Sequence, residues 1–180
     1  MSTSPLATVS LKFIDIMVGV ILGLGFQWWP NLIFPWQYLA FVFSYVDIVD
    51  YWIDYSPALK KFPPKKEVDV FIDVAIMFAI FLYVYSTQLG LTSFLLAYLF
   101  FCFIDSLWLL RAKHEYPQLK SSNSFITTWL KLNAMQIAYT LLLLFLSSLI
   151  FPFFLLLTFI GLRIGTRILA SLGYRRFYFI

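Results

Sequence analysis

The sequence holds a single cysteine, Cys102, and a single histidine, His114, and only 12% of its residues are charged. One thiol, set inside an apolar run, excludes an intrachain disulfide and any multi-cysteine metal site. One histidine in a polar stretch leaves no two-histidine centre. The chain also lacks a Gly-rich phosphate loop, an HExxH helix motif and a Ser/His/Asp set. It therefore reads as a non-enzyme that uses no cofactor and no metal.

What is present is apolar. Hydrophobic residues make up 62% of the chain and aromatic residues 21%, with a mean hydropathy of +0.86. Soluble domains carry about 25% charged and about 45–50% apolar residues, so this is an all-α, polytopic integral membrane protein. Its 180 residues suffice for one transmembrane domain, residues 1–180. Lys12 followed by an apolar stretch and "GLG" fits a cleaved signal peptide loosely, but we read this stretch as a retained first span. The isoelectric point near 9.2 suggests nucleic acid in a soluble protein. Here the basic residues are explained by topology, and no nucleic-acid partner is expected.

Punctuation divides the chain into six spans in three hairpins, over approximately 5–57, 65–116 and 123–173. Ser4-Pro5 opens span one as N-cap and first helical residue. "WWPNLIFPW" separates it from span two, which starts at Pro35 and stops near Pro57. "KKFPPKKE" and "STQLGLTS" flank span three, span four ends around "RAKHEYP", and "KSSNS" caps span five. Pro152 opens span six and Gly173 is its expected stop. Each segment has roughly the 20 residues needed to cross a ~30 Å hydrocarbon core. Lys and Arg are confined to the N-terminus, the second and fourth connections, the same ends of the spans and the C-terminal tail. That asymmetry places both termini in the cytoplasm of a cell or cytoplasmic membrane. Trp28, Trp29 and Trp36 are expected at the outer interface.

The charges also carry a period. Residues 16–46, 74–104 and 132–162 are three uncharged stretches of 31 residues, spaced by 58. Asp15 and Asp47, Asp73 and Asp105, and Lys131 and Arg163 bracket them, and Phe43, Phe101 and Phe159 share one column. This suggests three copies of a two-span hairpin related by an axis along the membrane normal. Six spans of similar length produce a similar beat by default, although that explains the paired charges less well.

A hairpin of this length leaves about 13 residues per arm, roughly 20 Å at 1.5 Å per residue. Asp15, Asp47, Asp73, Asp105, Lys131 and Arg163 are thus expected at one height inside the core. There they would face one another or water, since each costs about 2.5–3.5 kcal/mol facing lipid at the bilayer centre. Asp50 and Asp54 continue a polar stripe from Ser44 and Asp47, and Asp69 stands four residues before Asp73. Asn133, Gln136 and Thr140 extend a second stripe beyond Lys131. These residues are candidates for lining a hydrophilic path, and interhelical hydrogen bonding is the plainer reading of the Asn/Gln/Thr stripe.

"GVILG" in span one and "GLRIG" in span six are GxxxG patterns that permit close helix approach. Lys60, Lys61, Lys65 and Lys66 in the second connection, and Arg175 and Arg176 in the tail, suit anionic lipid headgroups. The layout of three two-span repeats resembles that of mitochondrial carriers, whose Pro-x-acidic-x-x-basic motif is absent after the odd-numbered spans. Two functions follow as expectations. The first is a small ion-conducting or ion-coupled membrane protein, a cation or proton channel or transporter working through its intramembrane aspartates. The alternative is a non-transporting anchor, sensor or assembly subunit. In either case a homo-oligomer or a subunit of a membrane complex is expected.

Overall fold

The computed structural model describes residues 5–116 and 124–174, and side chains over 8–116 and 124–172. Six long helices form: α1 (Pro5–Gly25), α2 (Pro35–Lys61), α3 (Glu67–Tyr85), α4 (Leu91–Glu115), α5 (Phe125–Leu146) and α6 (Pro152–Tyr174). No strand occurs among the described residues. The chain is all-helical, and five helices are long and apolar enough to cross a membrane. The other is α2. At 27 residues it has the length, at 1.5 Å per residue, but it carries Asp47, Asp50 and Asp54.

The starts follow local chemistry. Pro5, Pro35 and Pro152 stand at first helical positions, where a missing N–H costs nothing. Ser124 caps α5, its Oγ accepting the Thr127 N–H at 3.2 Å. At α3 the cap is Asp69, whose Oδ2 accepts the N–H groups of Lys65 and Lys66 at 2.9 and 2.7 Å. Asp69 thus caps the start of α3 while lying on the same buried face as Asp73.

Two ends differ from expectation. α2 runs past Pro57 to Lys61. Proline removes one helical hydrogen bond, but Ala58 and Leu59 beyond it are buried in the core, which holds the last turn. α6 continues through Gly173 to Tyr174. Ser4, Arg175 and Arg176 lie outside the described residues.

The helices pack in a ring. α1 lies between α2 and α3, α4 between α3 and α5, and α6 between α5 and α2, while α2 also leans on α3. The lysine-bearing end is pinned where the Tyr116 hydroxyl donates to the Pro63 carbonyl at 2.6 Å and Lys65 Nζ to the Glu115 carbonyl at 3.0 Å. At the far end, Asn31 Nδ2 donates to Gln88 Oε1 at 3.1 Å, and Gln37 Nε2 to the Leu89 carbonyl at 3.2 Å. Trp28 packs edge-on against Phe81 and Tyr85 there. Trp29 is exposed, whereas Trp36 is buried.

The 58-residue register holds in space for α2, α4 and α6. Ala40, Tyr98 and Leu156 are buried at matching positions, as are Asp47, Asp105 and Arg163. On the odd helices the register slips. α3 buries Asp69, Asp73, Met77, Ile80 and Val84, and α1 buries Ser10, Ile14, Val18, Ile21 and Gly25, 59 residues earlier. On α5, buried Asn133, Gln136, Thr140 and Leu143 stand 60 residues after Asp73, Ile76, Ile80 and Tyr83. Each residue of slip turns a helical side chain by about 100°. The inward place of Asp73 is therefore taken by Ile14 on α1 and Asn133 on α5. Asp15 and Lys131 turn outward.

Candidate functional site

Two arginines on successive turns of α6 face three aspartates on α2. Arg163 Nη2 pairs with Asp47 Oδ1 at 2.8 Å, and Arg167 Nε with Asp50 Oδ2 at 2.8 Å. Arg167 Nη1 also pairs with Asp54. Since α2 and α6 run in the same direction, residues 47 and 163 stand level, and spacings of three or four residues along each helix keep the following pairs level. Arg163 and Asp47 are both buried, whereas Asp50 and Arg167 are half-buried. Arg167 further lies over the ring of Trp129, 5.9 Å from its centroid.

The adjacent face of α2 presents tyrosines to two more acids. The Tyr51 hydroxyl donates to Asp105 on α4 at 2.8 Å, and the Tyr55 hydroxyl donates to Asp73 on α3 at 2.6 Å. The two rings stack with centroids 5.1 Å apart. Asp105 receives a second bond from Asn133 Nδ2 at 2.7 Å, and Asp73 one from the Ser10 hydroxyl. Both carboxylates are thus held by neutral donors, with no ion pair among the described residues.

Five acids and two arginines therefore share this region: Asp47, Asp50 and Asp54 are ion-paired with arginine, two positive charges against three negative, and Asp73 and Asp105 are not. Between α2, α4, α5 and α6 lies a cavity bounded by Asp50, Asp54, Asp105, Asn133, Gln136 and Arg163, with walls from Tyr51, Tyr55, Trp108 and Trp129. Its volume is about 40 Å³ by the measure in which one water needs about 10–15 Å³. It accommodates a few waters or a small ion. Arg163 Nε and Nη1 and Gln136 Nε2 are buried donors at its wall with no protein partner among the described residues.

Toward the far end the space closes. Tyr83, Phe94, Tyr98 and Phe159 are fully buried, with Tyr83–Phe94, Tyr98–Phe159 and Phe94–Phe159 centroids 5.0, 4.8 and 5.6 Å apart. A second crevice, beside Asp47, Ile48, Tyr51 and Tyr83, has no room for water. The lysine-bearing half is polar with room for water, and the far half is closed by packed aromatic rings.

Of the candidate residues, the fold brings together Asp47, Asp50, Asp105, Arg163, Asn133 and Gln136, with Asp73 next to them beyond Tyr55. It does not bring in Asp15 or Lys131. Asp15 is exposed and accepts one bond from Trp52 Nε1 at 2.9 Å. Lys131 is exposed and has no ion pair among the described residues. Ser44 bonds its own helix, donating to the Phe41 carbonyl at 2.8 Å. Gln136 Oε1 accepts from the Tyr98 hydroxyl. The Thr140 hydroxyl is buried without a partner among the described residues, and Thr140 does not line the cavity.

Arg167, Tyr51, Tyr55 and Ser10 were not singled out in the sequence. Arg167 was detectable, four residues after Arg163 on the same helical face. The tyrosines were not, because 11 tyrosines in so aromatic a chain read as ordinary interfacial residues. Among the described residues no group of three or more His, Cys, Asp or Glu side chains is arranged to hold a metal ion. Comparison with protein-family models, curated proteins and solved structures finds no match to this chain.

Proposed function

We propose that this chain is a small ion-coupled membrane protein. It would bind a proton or a small monovalent cation in the cavity beside Asp105, with the aromatic seal closing the route to the opposite side. The observation that carries the reading is the cavity itself: room for a few waters, next to a buried carboxylate that no arginine neutralises. Rings and clusters of carboxylates attract cations and partly replace their hydration, and intramembrane acids are the usual relay points of proton-coupled proteins. Arg163 and Arg167 supply two positive charges to Asp47, Asp50 and Asp54, and neither pairs with Asp105 or Asp73, which are left to respond to an incoming charge. With the lysine-bearing end in the cytoplasm by the positive-inside rule, the cavity belongs to the cytoplasmic half. Lys60, Lys61, Lys65 and Lys66 would then rest on anionic headgroups.

The ladder between α2 and α6 favours a second reading, a non-transporting membrane subunit whose charges only fix helix packing. One variant separates the two. Asp105→Asn keeps the size of the side chain and one acceptor oxygen for Asn133, gives the Tyr51 hydroxyl an amide donor to accept from, and removes the charge. In proteoliposomes the wild type is expected to move protons or small cations down an imposed gradient, and Asp105→Asn to lose that flux with its helicity and thermal midpoint retained. Absence of wild-type flux across a range of ions, pH values and voltages would shift the assignment to the packing role.

A further inference from the structure

The two charges left outside the cavity stand on helices that face opposite ways. Asp15 on α1 and Lys131 on α5 are both exposed. Counted from the far ends of their spans, Asn31 and Leu146, they lie 16 and 15 residues in, in the half of the bundle that carries the lysines. A charge facing hydrocarbon at depth is disfavoured, and here two of opposite sign sit at one level.

The surfaces that carry them are built for close approach. On α1, Gly19 and Gly23 continue the face of Asp15 at four-residue intervals; both are exposed, and a Cβ at either would meet nothing within 4 Å. These glycines serve no contact inside the chain, contrary to the expectation that span one packs tightly there. On α5, Ala134 and Ala138 are exposed on the face of Lys131. Small residues four apart are the usual means by which membrane helices approach each other. Around the ring α1 sits between α2 and α3, and α5 between α4 and α6. They stand across from each other, and their free faces point in opposite directions.

We infer that this chain assembles with further copies of itself head to tail, α1 of one copy lying parallel to α5 of the next, with Asp15 paired to Lys131 across the contact. Both helices run the same way through the bilayer, so the charges meet at one height, and the small residues of both faces lie farther along the same seam. Trp52 occupies one Asp15 oxygen and leaves the other for the lysine. Lys12 is exposed on the same α1 face but forms no ion pair with Asp15. It stands one turn nearer the membrane surface, where a lysine extends to water. Because two different faces meet, the contact is heterologous and generates rings or rows rather than isologous pairs. The inference does not rest on the transport reading.

Cross-linking in liposomes at increasing protein-to-lipid ratio tests it, with helicity measured by circular dichroism on every variant. The wild type is expected to give a ladder of oligomers. Asp15→Lys alone and Lys131→Asp alone should each lose the ladder. The double exchange in one chain, or a mixture of the two single variants, should regain it, because opposite charges face each other again in both cases. Asp15→Asn and Lys131→Met, milder changes, should weaken the ladder if the reversals disturb folding. Lys12→Met should leave it intact. A wild-type protein that stays monomeric in lipid would overturn the inference, as would a ladder that survives both charge reversals.

Discussion

At the level of single residues, the Arg163–Asp47 pair sets the largest penalty. Both groups are buried, and the Arg163 guanidinium has two N–H groups without protein partners among the described residues. Removing one member of a buried pair leaves the other as an uncompensated charge, at a cost of about 3–5 kcal/mol. Arg163→Met is therefore expected to lower the thermal midpoint in detergent markedly. The double variant Arg163→Met/Asp47→Leu should recover much of the loss, because neither charge remains to be desolvated. A double variant as unstable as the sum of the two single ones would show that the pair does not act as a unit. Lys131→Met should leave the stability of the dispersed chain near that of the wild type. The contrast between these two bases was only half legible in sequence. Arg163 sits on a helix where the 58-residue register survives folding, so its match to Asp47 was readable. Lys131 sits where two residues of slip carry the inward position to Asn133, and nothing in one sequence reveals a rotation of that kind.

Among the helices, α2 organises the interior because it is the least apolar. One face gives Asp47, Asp50 and Asp54 to α6, and the next gives Tyr51 and Tyr55 to α4 and α3. The acidic stripe was visible as a spacing, whereas the partners came from helices distant in sequence. Glycine illustrates the same limit. The GxxxG patterns were legible, but their use was not: Gly161 has open space around it, as do Gly19 and Gly23. The tight site is Gly25, where a Cβ would run into the Tyr45 hydroxyl and come within 3.0 Å of Val84 Cγ1. That hydroxyl donates to the Leu22 carbonyl at 2.6 Å, so it cannot move away without losing a bond. Gly25→Ala is expected to destabilise by about 1–3 kcal/mol, the range for overpacking a filled core. Gly161→Ala should be neutral or stabilising by up to about 1 kcal/mol, through the lower backbone entropy of alanine. Equal thermal midpoints for the two variants in detergent would refute this assignment of the close contact.

For the molecule as a whole, the order of helices and the membrane class were readable from proline punctuation and composition, because both act locally. The ring arrangement was not, since it depends on which faces meet. Charge placement predicts an orientation in the bilayer. The described lysines and arginines lie at the ends joined by the Pro63 contacts or on the turns just above them, and the far end carries none. Basic residues near helix ends are retained on the cytoplasmic side, so residues around Lys66 should face the cytoplasm and residues around Ser148 the exterior. The native Cys102 is buried and gives little background to a membrane-impermeant thiol reagent. Ser148→Cys is therefore expected to label in intact cells, and Lys66→Cys only after permeabilisation. The substitution at 66 removes one of four lysines in that connection, and the remaining three should hold the topology. The reverse labelling pattern would place the cavity beside Asp105 in the exterior half, and any ion it binds would then enter from outside.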